Sequence, residues 1–431
     1  MSTSPVSATP AAPPPARRPS GRLVVAAATI GNAMEWFDMA IYAMFAGVIA
    51  RQFFASSDPA LALVATWATF GVSFLIRPLG AVVLGSYADR RGRKAALVLT
   101  IRLMVVGTAM IAVLPTYDAI GVAAPMLLLL ARLVQGFSAG GEFGAATAYL
   151  VEAGTRNRGL RGSFQFASQG LATLMAATFA TVLTGTLDQD SLDSWGWRVP
   201  FFFGLLVGPL GWFLRRHVPE SPELVREPSA RTPLRELLSS QKAGLLIAVG
   251  LIAVSTSLNF VIQYMPTYAI GTLGVPDTIA FASTMLTGAI LTFLTPWIGH
   301  LSDRVGRVRL MLPAAGGIFV AVVPLFVLAN AVPEFAVLAG VMIALGVLKA
   351  WYFGALPTLM ADCFPPATRA SGLSISYNVG VAAFGGFTPL VVAWLTDSTG
   401  SPLAPGWYLM VLAMVSAGAL LAARTREHRY S

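Results

Sequence analysis

In a chain of 431 residues, 56% of positions are hydrophobic and only 11% charged. That is too little charge for a soluble domain, where about 25% is usual, and it indicates an all-α protein embedded in a membrane. One cysteine, Cys363, excludes a disulfide framework, and three scattered histidines (His217, His300, His428) exclude a local ligand set, so no metal or cofactor is expected. The net charge of +9 points to membrane topology rather than nucleic acid, because of where the basic residues fall.

From the amino end, residues 1–21 carry Pro5, Pro10, Pro13, Pro14, Pro15 and Pro19 among Ala and Ser, the composition of a flexible tail. No short apolar core with a small-residue cleavage site precedes the first span, so no cleaved signal peptide is expected. Apolar runs near the ~20 residues needed to cross a bilayer follow at about 23–50, 61–86, 95–114, 120–150, 162–185 and 198–214. A second set lies at about 244–270, 278–301, 309–329, 334–361, 371–396 and 406–423, which makes twelve spans. The map gives one six-helix bundle over 22–215, a polar cytoplasmic linker over 216–242, a second bundle over 243–424 and a tail over 425–431.

Charge placement orients the map. Apart from Arg51, Arg198 and the intraspan Arg77, Arg102, Arg132 and Lys349, all of the 29 basic residues fall on one side. By the positive-inside rule that side, with both termini, is cytoplasmic, and the membrane is the cell's inner or plasma membrane.

The two halves echo each other. Gly85, Asp89, Gly92 and Arg93 of GSYADRRGRK recur 214 positions later as Gly299, Asp303, Gly306 and Arg307 of GHLSDRVGRV. A second echo pairs Glu152, Arg158 and Arg161 at the end of span four with Asp362 and Arg369 at the end of span ten. Six spans per repeat with unchanged orientation predict two parallel-repeat bundles around a central cavity. Topology alone would explain the repeated cations but not the repeated Gly and Asp, which suit a charge-assisted latch at a helix end.

These loops resemble the cytoplasmic signature of the major facilitator superfamily, and RLVQGFSAGGEFG (132–144) is similar to its fourth-span motif. GNAMEWFD (31–38), FLIRPLG (74–80), YLVE (149–152) and WGWRVPFF (195–202) resemble, more narrowly, the metabolite:proton symporter family. FGGFTPL (384–390) and PGWYLM (405–410) are most like bacterial citrate or tricarboxylate symporters. The resemblance implies a major facilitator fold and uptake of a small metabolite with protons. Osmolyte carriers of the family have an extended coiled-coil tail; the chain ends at Ser431 without one, which counts against an osmolyte substrate.

Independently of that resemblance, the intraspan charges Glu35, Asp38 and Glu142 face Arg77, Arg102, Arg132 and Lys349. Intramembrane acids cost at least about 2.5 kcal/mol on insertion scales and persist where they serve a pathway, so Glu35, Asp38 and Glu142 are the proton-coupling candidates. Excess cation invites an anion, and the planar guanidinium matches a carboxylate bidentately. Substrate-binding candidates are Tyr42, which shares a helical stripe with Asn32, Glu35 and Asp38, and Arg102, Arg132, Gln165, Gln169, Asn259, Gln263, Lys349, Tyr377 and Asn378. For the uncharged members the competing reading is ordinary interhelical hydrogen bonding. Gating falls to Arg77, Asp89, Arg93, Glu152, Asp303, Arg307, Asp362 and Arg369.

The expected function is proton-coupled symport of a small organic anion, a tri- or dicarboxylate such as citrate or 2-oxoglutarate, by a monomer in the lipid bilayer. The alternatives are uptake of proline, betaine or a shikimate-like acid and, from another class, a membrane sensor that no longer transports. No nucleophile, base and oxyanion set can be assembled from the buried polar residues, so an enzyme is not expected.

Overall fold

A computed structural model describes residues 21–54, 58–91, 93–140, 142–152, 157–206, 209, 239–366 and 368–430. All regular structure among them is helical. Eight helices are long and apolar enough to cross a membrane, and a ninth span is the pair Thr29–Met44 and Ala46–Phe53, bent by 66°. The shorter apolar helices Val98–Val113 and Ala123–Ala139 supply spans three and four. Helix Val199–Gly204 opens span six, and most of the rest of that span, like most of the linker expected over 216–242, lies outside the described residues. These elements make the twelve-helix architecture that the hydropathy map predicts.

Local chemistry explains the breaks that matter for the site. Asp58 caps span two, its carboxylate accepting from Ala60 N at 2.9 Å, with Pro59 in the first turn. Pro78 lacks a backbone donor, and the helix is interrupted at Ile76 between Pro59–Leu75 and Arg77–Arg91, the two pieces continuing as one span. Arg77 lies within that span, beside the interruption. Span eleven divides likewise, around a π-helical segment Ala382–Gly386 between Arg369–Val381 and Thr388–Thr399.

Span four packs against span two by closest approach. A Cβ on Gly136 would lie 1.9 Å from Ser73 O, and one on Gly140 2.0 Å from Arg77 O. Spaced four apart, these glycines form one bare strip along the helix, the small-xxx-small arrangement that lets membrane helices touch backbone to backbone. The GFSAG stretch thereby draws Arg132, one turn earlier, and Arg77 towards the centre of the same bundle.

Between bundles the most extensive seam runs along spans five (Arg158–Thr186) and eight (Asp277–Val305). At the end that carries the repeated loops it is fastened by charge. Asp303 accepts from Gly159 N at 2.7 Å and Leu160 N at 3.1 Å, a carboxylate seated on the first turn of span five. Only glycine fits at 159, where a Cβ would meet Ser302 Oγ at 2.3 Å. Glu152 pairs with Arg369 at 2.6 Å and Arg158 with Asp362 at 3.0 Å. The second echo of the sequence is thus a reciprocal exchange, each bundle's acid meeting the other's arginine. Arg307 pairs with Asp362 within the second bundle. Of the expected gating residues, the side chains of Asp89 and Arg93 lie outside the described set.

At the opposite end the closure is mostly apolar. Trp67 meets Tyr264 edge-on at 5.8 Å, and Phe45 lies 6.4 Å from Phe281. Thr278 donates to Thr184 at 3.4 Å across the same seam, and Arg51 is held bidentately by Asp193 at 2.7 and 3.1 Å within the first bundle. With both ends joined across the interface, the bundles enclose the charged centre from either side.

Candidate functional site: a buried charge network shared by two bundles

Asp38 lies near the middle of span one and is fully buried. Its Oδ2 accepts from Thr108 Oγ1 of span three and from Gln135 Nε2 of span four at 3.5 Å. Gln135 also donates to Thr108 at 3.0 Å, while its Oε1 accepts from Arg132 at 2.8 Å. A neutral amide therefore stands between acid and base, so the pair is linked without direct contact. The other carboxylate oxygen, Asp38 Oδ1, has no hydrogen-bond partner, and span six makes room for it at Gly204, where a Cβ would lie 2.5 Å away. A buried carboxylate oxygen without a donor is a place for a proton.

Arg132 and Arg77 are held by rings more than by acids. The Arg132 guanidinium sits 4.4 Å from the Tyr42 ring centroid and 5.1 Å from that of Phe70. Arg77 lies 4.4 Å from Phe74 and 5.7 Å from Trp36, within the electrostatic reach of Glu35 and Tyr377. Cation–π contact steadies a guanidinium while leaving its in-plane donors unused. Accordingly Arg77 Nε and one terminal nitrogen, and Arg132 Nε, are buried without a hydrogen-bond partner. Each unmade bond of this kind costs about 1–3 kcal/mol, a deficit that a bound carboxylate would remove.

The second bundle contributes Lys349, 1% exposed, which donates to Asn259 Oδ1 at 2.5 Å and lies 4.8 Å over the Phe353 ring. Between the bundles, Asn378 donates to Gly140 O at 2.9 Å, Gln169 to Tyr377 at 3.5 Å, and Phe143 stacks on Tyr377 at 3.3 Å.

The Major Facilitator Superfamily profile matches residues 28–375. The chain belongs to the major facilitator superfamily. It is 36% identical to a citrate-proton symporter of Salmonella typhi over 90% of both chains. A proline/betaine transporter of Escherichia coli is 35% identical over 91% of this chain and 81% of its own. Among solved structures, a proton:xylose symporter aligns with TM-score 0.76 at 18% identity, over 95% of this chain and 96% of the other, a likeness of fold. Membership sets this facilitator among transporters and not among enzymes. The citrate and proline/betaine relatives lie at near-equal identity, so the comparison gives no support to setting the osmolyte reading aside.

Within this facilitator the expected site residues separate into groups. The stripe of span one is not one cavity wall. Asp38 turns into its own bundle towards spans three, four and six, while Asn32 faces span five, bonding Gln165 O at 3.0 Å and Ser168 Oγ at 2.6 Å. Residues six apart on a helix differ by about 120° in direction, and in a tight bundle that chooses a different neighbour. Tyr42 donates to Thr66 O at 3.2 Å and stacks on Phe70, so it serves as the wall beneath Arg132. Gln165, Gln169, Tyr377 and Asn378 take up the interhelical bonds of the competing reading.

One placement differs from expectation. Arg102 is exposed on the outer face with Val106, while Met104, Thr108 and Ile111 form the buried face of that helix, so it leaves the set of central cations. Arg77, expected among the intraspan cations and the gating residues, is buried at the centre. The side chain of Glu142 lies outside the described set. Thr108 and Gln135 were not anticipated. Nothing distinguishes Thr108 in sequence, whereas Gln135 follows Arg132 by three positions and precedes Lys349 by 214, so the repeat itself could have singled it out.

Proposed function

We propose that this chain is a proton-coupled symporter that takes up a small organic acid with more than one carboxylate, citrate being the best fit, by alternating access. The observation that carries the reading is the charge at the centre among the described side chains: buried Arg77, Arg132 and Lys349 against buried Asp38 and half-buried Glu35, with guanidinium donors left unpartnered. Protonation of Asp38 at Oδ1 deepens the positive excess and prepares the site for an anion. Substrate and proton together then lower the cost of reorienting the charged centre, as the bundles rock about the site. The loop-bearing end and both termini face the cytoplasm in this reading, the membrane is the cell's inner membrane, and one chain is the working unit. Names of the citrate-proton symporter relatives support the substrate class.

A second reading, uptake of a betaine-like osmolyte, draws support from the proline/betaine relatives and from the rings of Trp36, Phe70, Phe74 and Phe260 about the centre, since quaternary ammonium groups bind aromatic faces. Uptake into proteoliposomes under an imposed acid-outside gradient, with citrate, 2-oxoglutarate, succinate, shikimate and betaine compared, tests both. Gradient-driven uptake of citrate is the expected result. Betaine accumulation with no di- or tricarboxylate uptake would overturn the anion reading.

A further inference from the structure

We infer that Lys349, Asn259 and Gln263 form a subsite in the second bundle that reads a hydroxyl group next to a carboxylate, so that a hydroxy acid is preferred over the same acid lacking the hydroxyl. The inference rests on the anion reading above and deepens it. Asn259 and Gln263 are 2% and 1% exposed, one turn apart on the same face of span seven. Lys349 Nζ engages the oxygen of Asn259, which fixes the amide so that its nitrogen points away as a free donor. Asn259 Nδ2 is in fact without a partner, and so is the neighbouring Gln263 Oε1.

The unused groups differ in kind. An ammonium carries three donors, of which Asn259 takes one, and Asn259 Nδ2 adds another. Together they suit the acceptor oxygens of a carboxylate. Gln263 Oε1 is an acceptor only, and a carboxylate oxygen set against it would be repelled. It calls for a donor one turn along the helix from the carboxylate position, and on an anionic metabolite that donor is a hydroxyl. Betaine has no hydrogen to donate, and an amino acid would bring its ammonium towards Lys349. A hydroxycarboxylate alone among these satisfies the donors and the acceptor without opposing the buried charge.

Sites that hydrogen-bond a substrate hydroxyl discriminate strongly, because an analogue without it leaves buried groups unpaired. The test uses two pairs that differ by one hydroxyl, malate with succinate and citrate with propane-1,2,3-tricarboxylate, as substrates of the full chain in proteoliposomes under an acid-outside gradient. The hydroxy member of each pair should have the lower KM, by roughly ten- to a hundredfold. Gln263→Leu should collapse that ratio towards one by weakening the hydroxy acids. Substrate-induced Tm shifts of the unsubstituted protein should rank the pairs in the same order, which keeps the comparison decisive if the variant does not reach the membrane. Equal KM within both pairs, or a ratio that survives Gln263→Leu, overturns the subsite while leaving the anion reading intact. Uptake of none of the four acids overturns both.

Discussion

The two halves of the molecule repeat each other at their ends and part company at their centres. At the loop-bearing end the correspondence is reciprocal, Glu152 to Arg369 and Asp362 to Arg158. Halfway along, the same repeat carries Gln135 in one bundle and Lys349 in the other. Gln135 is a neutral bridge between Asp38 and Arg132, so the first half holds an acid and a base in one network. Lys349 is a cation whose described contacts are an amide and a ring. Symmetry therefore serves closure, where both halves must meet alike. Asymmetry serves the cargo in the reading proposed above: the first half holds a proton and a carboxylate, the second a carboxylate and the hydroxyl beside it.

The largest effect expected on this division comes from Asp38→Asn, which keeps the shape and removes the proposed proton site. A gradient of one pH unit drives at most about tenfold accumulation per coupled proton, 1.4 kcal/mol being a factor of ten. In the variant, gradient-driven accumulation should fall to equilibration while counterflow exchange of labelled substrate persists. Accumulation at the unsubstituted level would move the proton to Glu35, the other described acid of span one.

A smaller effect should follow from Lys349→Gln, which gives the second half the residue that the first carries at the equivalent position. Hydrogen bonds to charged groups contribute about 1.5–3 kcal/mol, so the KM for citrate should rise on the order of tenfold to a hundredfold, with succinate less affected. An unchanged rank of substrates in the same uptake assay would remove Lys349 from the ligand's path and with it the asymmetry argued here.

How much of this was legible beforehand follows from which interactions leave a trace in one dimension. Hydropathy runs and alternating loop charge suffice for twelve spans, because a bilayer imposes length and polarity on each segment separately. The reciprocal latch was half legible: the echo of Glu152 and Asp362 was visible, but not that each would choose the other bundle's arginine. The centre was less so. Arg102 and Arg132 are both intraspan cations in sequence, and helix rotation sends one to the outer face and the other inward. Arg77 was legible as an intraspan cation, but not the rings of Phe74 and Trp36 that seat it at the centre. Cation–π seats such as Phe74 beneath Arg77 leave no signal in a span already rich in aromatic residues.

The weakest of the expected effects tests the symmetric side of the comparison. The Glu152 side chain is 45% exposed, and solvent-screened pairs contribute at most about 1 kcal/mol. Glu152→Gln should therefore change the transport rate by no more than about fivefold, and the change should shrink as salt rises. A charge exchange, Glu152→Arg with Arg369→Glu, is the sharper experiment, because it preserves the bond while reversing its polarity. If reciprocal pairing is what matters, the double variant should recover most of the rate that either single substitution loses, a coupling that a double-mutant cycle measures directly. Should it fail to recover while the helices remain intact, polarity matters as well as pairing. Arg369 also donates from Nε to Ala361 O at 3.0 Å, at the last turn of span ten, where the helix dipole favours a cation and disfavours the glutamate that would replace it.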